Sequence, residues 1–424
     1  MRKVPVRLAL LSCFLLLPTL QAGDWPGWRG PTGQGFADEK DLPVTWGGKD
    51  QENVLWKVVL PGVEAKGKLD HNQASPIVYQ DRVFVSMVYW PADKTPKDQP
   101  EHVVACYAVG DGKKFWETTV PPGPWLLTDL RGGYSAPTPT TDGERIYVLF
   151  GSSVLAALDF EGKLVWRKEV APYAWDVAIG TSPVVHGDLV YVLADGTKPA
   201  LSRLIAYDKK SGEVKWEQKR PTANFSHSTP LVHTANGKTQ LIVAASNAIQ
   251  GLDPADGKVL WTCANPGDVT TPVQGAGLIY CDSARGGPGL AVDPTGAGDV
   301  AKTHVKWQTP KIPEGFYSSP VVLGDYLYRP YAPGLLRCLK VGTGEQVYQE
   351  RLPAGLANHA SPIITADGRI YFASGGKSAV VQAGPEFKVL AVNDLGDPSQ
   401  ASPAAAHGKL FIKGGKHLYC IGKK

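Results

Sequence analysis

The sequence lacks the features that mark several common classes of protein. Beyond residue 22 it has no apolar run near the roughly 20 residues that a membrane-spanning helix requires. It holds six cysteines, with no CxxC spacing and no two adjacent, which argues against a disulfide framework or a zinc site. Basic and acidic residues nearly balance, 44 against 40, so no electrostatic argument favours a nucleic-acid partner or an anionic membrane.

Helical architecture is disfavoured by the turn formers. The chain has 47 glycines and 35 prolines, too many helix breakers for a helical bundle. With 43% apolar and 20% charged residues it can still bury a large core. We therefore expect a globular protein rich in strands and tight turns.

The first 22 residues have the pattern of a secretory signal peptide. Three basic residues precede an apolar run at residues 8–17, and the small residue Ala22 follows. The apolar run continues past Cys13, which argues against lipid attachment at that cysteine. We predict cleavage near residue 22 and a periplasmic or secreted mature protein, with a separate N-terminal arm at residues 23–50 that contains the segment WPGWRGP.

One supersecondary unit recurs along the chain: a small or hydroxyl residue, a proline, an apolar run, a Gly/Asp turn and a second apolar run. SPVVHGDLVYVL and SPIITADGRIYFA are clear copies, and looser copies begin at Ser75, Ala136, Thr229 and Thr271. The prolines that mark the units are Pro76, Pro137, Pro183, Pro230, Pro272, Pro320, Pro362 and Pro403. The sequence thus contains eight units.

A second signature follows within the units: a small residue, an acid, a Gly-Lys or Gly-Glu turn and a tryptophan, as in AYDKKSGEVKW. Cys106, Cys338 and Cys420 occupy the position of the small residue, so we interpret them as small core residues. The recurring aspartates, such as Asp208, are expected to accept backbone N–H bonds in the turn. The tryptophans are expected to pack each unit against the next one. They are Trp56, Trp116, Trp166, Trp216, Trp261 and Trp307.

Four short strands in each unit predict an all-β, eight-bladed β-propeller of four-stranded antiparallel blades, spanning residues 51–424. The last unit, from Ser402, has no tryptophan-bearing fourth strand. The segment NVLWKVVLPG at residues 53–62 has that strand but no first three. We predict that the two termini share one blade, which leaves no open sheet edge at the closure.

The tandem repeat resembles the tryptophan-docking repeat of the pyrroloquinoline quinone (PQQ) family of eight-bladed propellers. The resemblance implies one of two branches: quinoprotein dehydrogenases, or non-catalytic propellers similar to the outer-membrane assembly factor BamB. The enzymes of the family hold PQQ with calcium, an Asp base, an Arg or Lys and, in most members, a disulfide between adjacent cysteines. Here the only candidates for such roles are Asp176, Asp268 and Arg131.

Residues just before each repeat proline are predicted to ring one mouth of the central channel, because the first strand of a blade lines the axis. This ring could bind an anion, a sugar or a peptide end, although any propeller mouth is wet and polar. The predicted mouth residues are His71, Asn72, Arg131, Tyr134, Asp176, His227, Asp268, Tyr317, Asn358, His359 and Gln400.

These observations favour an exported, non-catalytic propeller that acts as a binding or scaffold protein, with envelope assembly as a candidate role. The expected partner is another envelope protein or peptide, the expected state is a monomer, and no cofactor is expected. One alternative is an alcohol or sugar dehydrogenase that uses PQQ and calcium. A second is a propeller that binds sugars or small molecules, which would need an aromatic shelf such as Trp125, Trp175 and Tyr317 near the axis. Trp25, Trp28 and Arg29 of the arm could pack on the propeller or bind a partner.

Overall fold

The structure is a computed structural model that describes residues 23–170, 179–223, 225–264, 269–283, 288–311, 317–331, 334–353, 356, 360–373 and 375–424. The predicted signal peptide lies outside the described residues. The secondary structure of the described residues consists mainly of β-strands, with short 3-10 turns such as Pro199–Leu201. No helix in the described ranges is both long and apolar enough to cross a membrane.

Eight antiparallel sheets follow one another along the chain, which confirms the predicted eight-bladed propeller. Two short strands precede the first blade, β1 (Phe36–Ala37) and β2 (Val54–Val59). Blade 1 contains β3 (Lys68–Leu69), β4 (Ile77–Tyr79), β5 (Arg82–Trp90), β6 (Glu101–Ala108) and β7 (Lys114–Val120). Blade 2 contains β8 (Thr140–Thr141), β9 (Arg145–Phe150), β10 (Val154–Asp159) and β11 (Leu164–Glu169). Blade 3 contains β12 (Val184–His186), β13 (Leu189–Ala194), β14 (Arg203–Asp208) and β15 (Val214–Lys219). Blade 4 contains β16 (Leu231–Ala235), β17 (Lys238–Ala244), β18 (Ala248–Leu252) and β19 (Val259–Ala264).

The second half of the ring repeats this arrangement. Blade 5 contains β20 (Val273–Gly275), β21 (Leu278–Cys281), β22 (Leu290–Val292) and β24 (Val305–Gln308). The insertion between β22 and β24 carries β23 (Gly298–Asp299), which pairs in parallel with β19 of blade 4. Blade 6 contains β25 (Val321–Leu323), β26 (Tyr326–Tyr331), β27 (Leu335–Lys340) and β28 (Gln346–Arg351). Blade 7 contains β29 (Ile363–Thr365), β30 (Arg369–Phe372), β31 (Lys377–Gln382) and β32 (Lys388–Asp394). Blade 8 contains β33 (Ala404–Ala406), β34 (Lys409–Lys413) and β35 (His417–Ile421).

The closing blade is built from both termini, as predicted. β2 pairs antiparallel with β35, and Trp56 lies opposite Cys420. Strand β2 is therefore the outer strand of blade 8, in the order β2-β35-β34-β33. The first and last parts of the propeller are held together by a full strand pairing.

Burial explains the sequence pattern of the strands. The middle strands pack against a neighbouring blade on both faces, so β9 and β10 are almost continuously apolar and buried. The outer strands alternate instead, and β15 exposes every second residue or more. The core is therefore a series of layers between blades.

The docking tryptophans join neighbouring blades by a repeated hydrogen bond. Trp116 Nε1 donates to Phe160 O of the next blade at 2.8 Å, and Trp166 Nε1 donates to Lys209 O at 3.1 Å. The equivalent indoles of Trp56, Trp216 and Trp307 also donate to a backbone carbonyl of the following blade. Trp261 differs, because its indole donates to the side chain of Gln240 in its own blade. The strand that carries Trp261, β19, also pairs with the insertion strand β23.

The small residue of the second signature lies directly opposite the docking aromatic residue. Cys106 faces Trp116, Cys338 faces Tyr348, and Ala206 faces Trp216 in the strand register. All five cysteines from Cys106 to Cys420 are buried and free, and burial raises the pKa of Cys106 to about 12. These thiols are core residues with little thiolate character.

The recurring aspartates organise the turn that precedes each docking strand. Asp208 Oδ1 accepts the backbone N–H groups of Lys210 and Ser211, at 3.0 and 2.9 Å. Asp159, Asp253 and Asp293 accept the corresponding bonds in their own blades. This is the scaffolding role that the repeat position predicts.

Candidate binding site at the channel mouth

The hydroxyl residue before the repeat proline links one blade to the next at seven of the eight described positions. There the side-chain oxygen accepts the backbone N–H of the equivalent residue in the preceding blade, at 2.8–3.1 Å. At the eighth position, Thr271 Oγ1 accepts the indole N–H of Trp28 instead. The bond from Ser402 N to Ser75 Oγ joins the last blade to the first. The repeated Ser/Thr-Pro pair thus builds a belt of hydroxyl groups around the channel, and we call it the hydroxyl ring. Its members are Ser75, Thr138, Ser182, Thr229, Thr271, Ser319, Ser361 and Ser402.

The register predicted for blade 2 was wrong by two residues. Ser75 N donates to Thr138 Oγ1, and Thr138 N donates to Ser182 Oγ, both at 2.9 Å. The inner strand β8 begins directly after Pro139, as the other inner strands begin after their proline. The repeat therefore starts at Thr138-Pro139, because Ala136 has no hydroxyl to join the ring.

The N-terminal arm crosses the channel next to the hydroxyl ring. Trp25 forms a backbone bridge with Val78 of blade 1, and Thr141 N of blade 2 donates to Pro26 O at 2.8 Å. Across the axis, Trp28 Nε1 donates to Thr271 Oγ1 of blade 5 at 2.9 Å. The arm then reaches blade 7, where β1 pairs in parallel with β29. Apart from the bond to Thr271, which belongs to the ring, these contacts lie three or four residues beyond the ring positions, on the side away from the mouth.

Arg29 fixes the arm under the ring through backbone carbonyls. Its Nη2 donates to Gln34 O and to Pro320 O of blade 6, and the side chain is almost fully buried. Burial lowers the pKa of Arg29 to about 9. Nε and Nη1 have no hydrogen-bond partner among the described residues. The WPGWRGP segment is therefore an integral part of the channel wall.

A cavity of about 420 Å³ occupies the mouth above the arm. Trp28 contributes to its inner end, and hydroxyl-ring residues form much of its wall. The predicted mouth residues that line it are His71, Arg131, His227, Tyr317 and Gln400. Sequence reasoning missed Trp28, Gln73 and the ring hydroxyls as lining groups, although the recurrence of Ser/Thr before proline was a signal that could have identified the ring.

Two predicted mouth residues are buried in the protein instead of facing the cavity. Asn72 pairs with the backbone of Val88 in β5, where Oδ1 accepts Val88 N at 2.7 Å. Tyr134 is fully buried, and its hydroxyl accepts Leu127 N at 2.8 Å. Both residues belong to loops that fold back onto the blade, so counting positions from the proline misplaced their side chains. Asp176, Asp268, Asn358 and His359 lie outside the described residues.

Asp70 supports the loop that carries Arg131. Its carboxylate accepts Tyr134 N and packs against Gly133, where an added Cβ would lie 2.7 Å from Oδ2. Burial is the main cause that raises the pKa of Asp70. At the rim, Arg131 forms a bidentate pair with Asp129, whose pKa is lowered by the bonds from Arg131. The positive charge of Arg131 is therefore already balanced within its own loop.

Of the three aromatic residues predicted for a shelf, one lines the cavity, one packs against the core, and one lies outside the described residues. Tyr317 lines the cavity and is 44% exposed, whereas Trp125 packs against the core between blades 1 and 2. Trp175 lies outside the described residues. Trp28 provides the second aromatic surface at the cavity.

The described cavity residues do not supply the donor set of the calcium ion that accompanies PQQ in the enzymes of the family. Calcium in proteins takes six to eight oxygen ligands, mostly carboxylates and carbonyls. The polar side chains of the described lining carry hydroxyl, amide, imidazole and guanidinium groups, and none of them is a carboxylate. In the described ranges no group of three or more His, Cys, Asp or Glu residues could hold a metal ion. The two aspartates proposed for the enzyme, Asp176 and Asp268, are not described.

The chain belongs to the family whose sequence model is described as outer membrane protein assembly factor BamB, which matches residues 100–350 and 226–423. No curated protein matches the sequence. Among solved structures, a europium-containing methanol dehydrogenase is similar with a TM-score of 0.71, 12% identity and coverage of 95% of this chain and 98% of that one.

Two further solved structures share the fold. BamB from Moraxella catarrhalis has a TM-score of 0.57 at 14% identity, covering 87% of this chain and 96% of its own. The computationally designed protein Ika8 has a TM-score of 0.58 at 10% identity, covering 87% and 99%. At these identities the similarities establish the propeller architecture. An enzyme, a BamB protein and a designed protein share it, so the architecture does not decide between catalysis and binding.

Proposed function

We propose that this protein is a non-catalytic binding propeller of the cell envelope, exported by its N-terminal segment, that captures another envelope component at the channel mouth. The observation that carries the proposal is the cavity itself. The arm crosses the channel beneath it, so a ligand would enter from the mouth and meet Trp28, Tyr317 and the hydroxyl ring. Such a concave site with a few convergent polar groups is typical of ligand binding.

The family description supports an envelope location and a role beside other envelope proteins. The exposed loops around the mouth, which carry residues such as Arg131, would supply the contacts to a protein or peptide partner. Binding a partner makes smaller demands on the site than catalysis does. It requires only a surface that complements the partner, whereas a dehydrogenase must also hold a redox cofactor and a base.

A capture experiment tests the proposal. The mature protein, tagged at its C-terminus, would be incubated with envelope extract, cross-linked and analysed by mass spectrometry. We expect a partner that is retained by wild-type protein and by the outer-strand control Val214→Ala, and lost with Tyr317→Ala. Equal capture by all three proteins would contradict a binding site at the mouth.

Reconstitution separates this function from the oxidoreductase. The mature protein would be incubated with PQQ and Ca²⁺, dialysed, and examined for quinone absorbance and dye-linked alcohol or sugar oxidation. We expect no retained quinone and no turnover. Retained quinone with turnover would overturn the non-catalytic proposal.

A further inference from the structure

Six hydroxyl groups of the ring line the cavity with unused hydrogen-bonding capacity. Each side-chain oxygen accepts one N–H bond, either from the preceding blade or, at Thr271, from the indole of Trp28. A hydroxyl has one donor and two lone pairs, so each retains a donor and an acceptor. No described contact uses these hydrogens. The six residues are Ser182, Thr229, Thr271, Ser319, Ser361 and Ser402.

The cavity adds apolar aromatic surface to this polar wall. The indole N–H of Trp28 donates to Thr271, and this bond holds the indole group at the inner end of the cavity. Tyr317 stands at the wall with almost half of its surface exposed. Aromatic side chains at these two positions can cover the C–H faces of a ligand while the hydroxyls bond its polar edge.

The balance of charge favours a neutral ligand. Arg131 is paired with Asp129, and the described lining has no carboxylate to attract a cation. Amides add both donors and acceptors, since Gln73 and Gln400 line the cavity as well. The Oε1 atom of Gln400 is buried and has no partner among the described residues, so it is an acceptor that a ligand can satisfy.

We infer that the cavity binds a neutral saccharide, a mono- or disaccharide unit of an envelope glycan. The inference rests on the proposed function, because it assigns a ligand class to the same site. Sugar hydroxyls both donate and accept, as do the ring hydroxyls, and pyranose rings have apolar C–H faces that match Trp28 and Tyr317. The volume of about 420 Å³ lies within the range of about 300–1,000 Å³ that is typical of small-molecule sites.

Titration of the purified mature protein with cellobiose, maltose and N,N′-diacetylchitobiose tests this inference, with calorimetry and tryptophan fluorescence as readouts. We expect saturable binding of at least one disaccharide, with a weakening of about tenfold or more in Tyr317→Ala and in Trp28→Ala. Trp28→Phe should retain most of the affinity because the aromatic surface remains. Trp216→Phe, which changes a tryptophan outside the cavity, should bind as wild type does.

Tyr317→Ala keeps the test valid if loss of Trp28 disturbs the arm, since Tyr317 is exposed. Absence of binding by all three sugars, or binding that is unchanged in both cavity variants, would overturn the saccharide inference. So would stronger binding of an acidic peptide or of PQQ than of any sugar. Adding an excess of each of the three disaccharides to the capture experiment distinguishes the two proposals. Capture that no disaccharide displaces but that is lost with Tyr317→Ala would sink the saccharide and keep the binding function.

Discussion

Gly212 serves the turn and the docking tryptophan together. Its φ of +70° is in the left-handed region, and a Cβ added there would lie 2.7 Å from Cδ2 of Trp166 in the preceding blade. Gly187 has a similar φ of +60°, but an added Cβ would meet nothing within 4 Å. Comparing substitutions at these two glycines therefore distinguishes the cost of a positive φ from the cost of a steric clash at the contact between blades.

We predict that Gly212→Ala lowers the free energy of unfolding by about 2 kcal/mol more than Gly187→Ala does. The control should lose only about 1 kcal/mol, from the positive φ, while the clash with Trp166 adds the cost of overpacking. Urea denaturation followed by tryptophan fluorescence measures both variants. Equal losses would show that the docking contact imposes no steric demand.

Burial holds His102 in its neutral form, and two hydrogen-bonding neighbours fix its tautomer. Nδ1 lies 3.0 Å from the carbonyl of Pro100 and so must donate, which leaves Nε2, 2.8 Å from Ser152 Oγ, as an acceptor. Burial is the main cause that lowers the pKa of His102 to about 4. The imidazole is fully buried beside Tyr134 and Phe150.

The pH dependence of stability follows from this shift. Between pH 6.5 and 4 the unfolded chain binds a proton at His102 that the folded protein does not, so stability falls as the pH falls. The contribution of His102 should reach about 2 kcal/mol between pH 7 and pH 4.5. His102→Gln should flatten the decline measured by urea unfolding by that amount. An unchanged pH profile in the variant would contradict a neutral buried histidine.

At the scale of single residues, the sequence predicted those positions that a repeat defines. The tryptophans, the turn aspartates and the small residues such as Cys106 recur, so their local environment repeats with them. Asn72 and Tyr134 lie in loops without a repeat, and their orientation depends on contacts with Val88 and Leu127 that no spacing reveals.

At the scale of the element, the hydroxyl ring is the link between inner strands. Each inner strand is only two to five residues long, so it makes few bonds within its own blade. The bonds from backbone N–H to side-chain oxygen supply lateral connections between blades that strand pairing cannot provide. A buried N–H that loses such an acceptor is left unsatisfied, at a cost of about 1–3 kcal/mol.

A substitution at Thr138 tests both the contribution of the hydroxyl ring to stability and the register of blade 2. We predict that Thr138→Val, which keeps the shape but removes the acceptor for Ser75 N, lowers the free energy of unfolding by about 1–3 kcal/mol. Ala136→Ser, at the position that the proline count first suggested, should change it by less than about 0.5 kcal/mol. Urea denaturation compares the two. The reverse order of effects would restore the original register.

At the scale of the whole molecule, the sequence predicted the ring and its closure but not the course of the arm. Closure was predictable because the strand missing at one end was present at the other. The arm has no repeat and no alternating pattern, and its path is set by contacts to Val78, Thr271 and Pro320 in three separate blades. The floor of the cavity therefore could not be inferred from sequence spacing alone.

Closure by β2 and β35 makes the stability of the ring depend on the chain's last strand. β35 lies between β34 and β2, so its removal leaves β2 without a partner and exposes two sheet edges. Trp56 would lose Cys420, its cross-strand neighbour, and the buried side chains of Leu418 and Ile421 would be missing from the core.

We predict that a protein truncated after Gly415 unfolds at least about 10 °C below the full chain or aggregates, whereas removal of only Lys423 and Lys424 has little effect. Both terminal lysines are exposed, so the short truncation controls for changes in length and charge. Thermal unfolding followed by near-UV circular dichroism, with size-exclusion chromatography, measures the outcome. An unaltered melting temperature after loss of β35 would mean that the hydroxyl ring and the arm are enough to keep the propeller closed. The blade shared by the two termini would then add no stability.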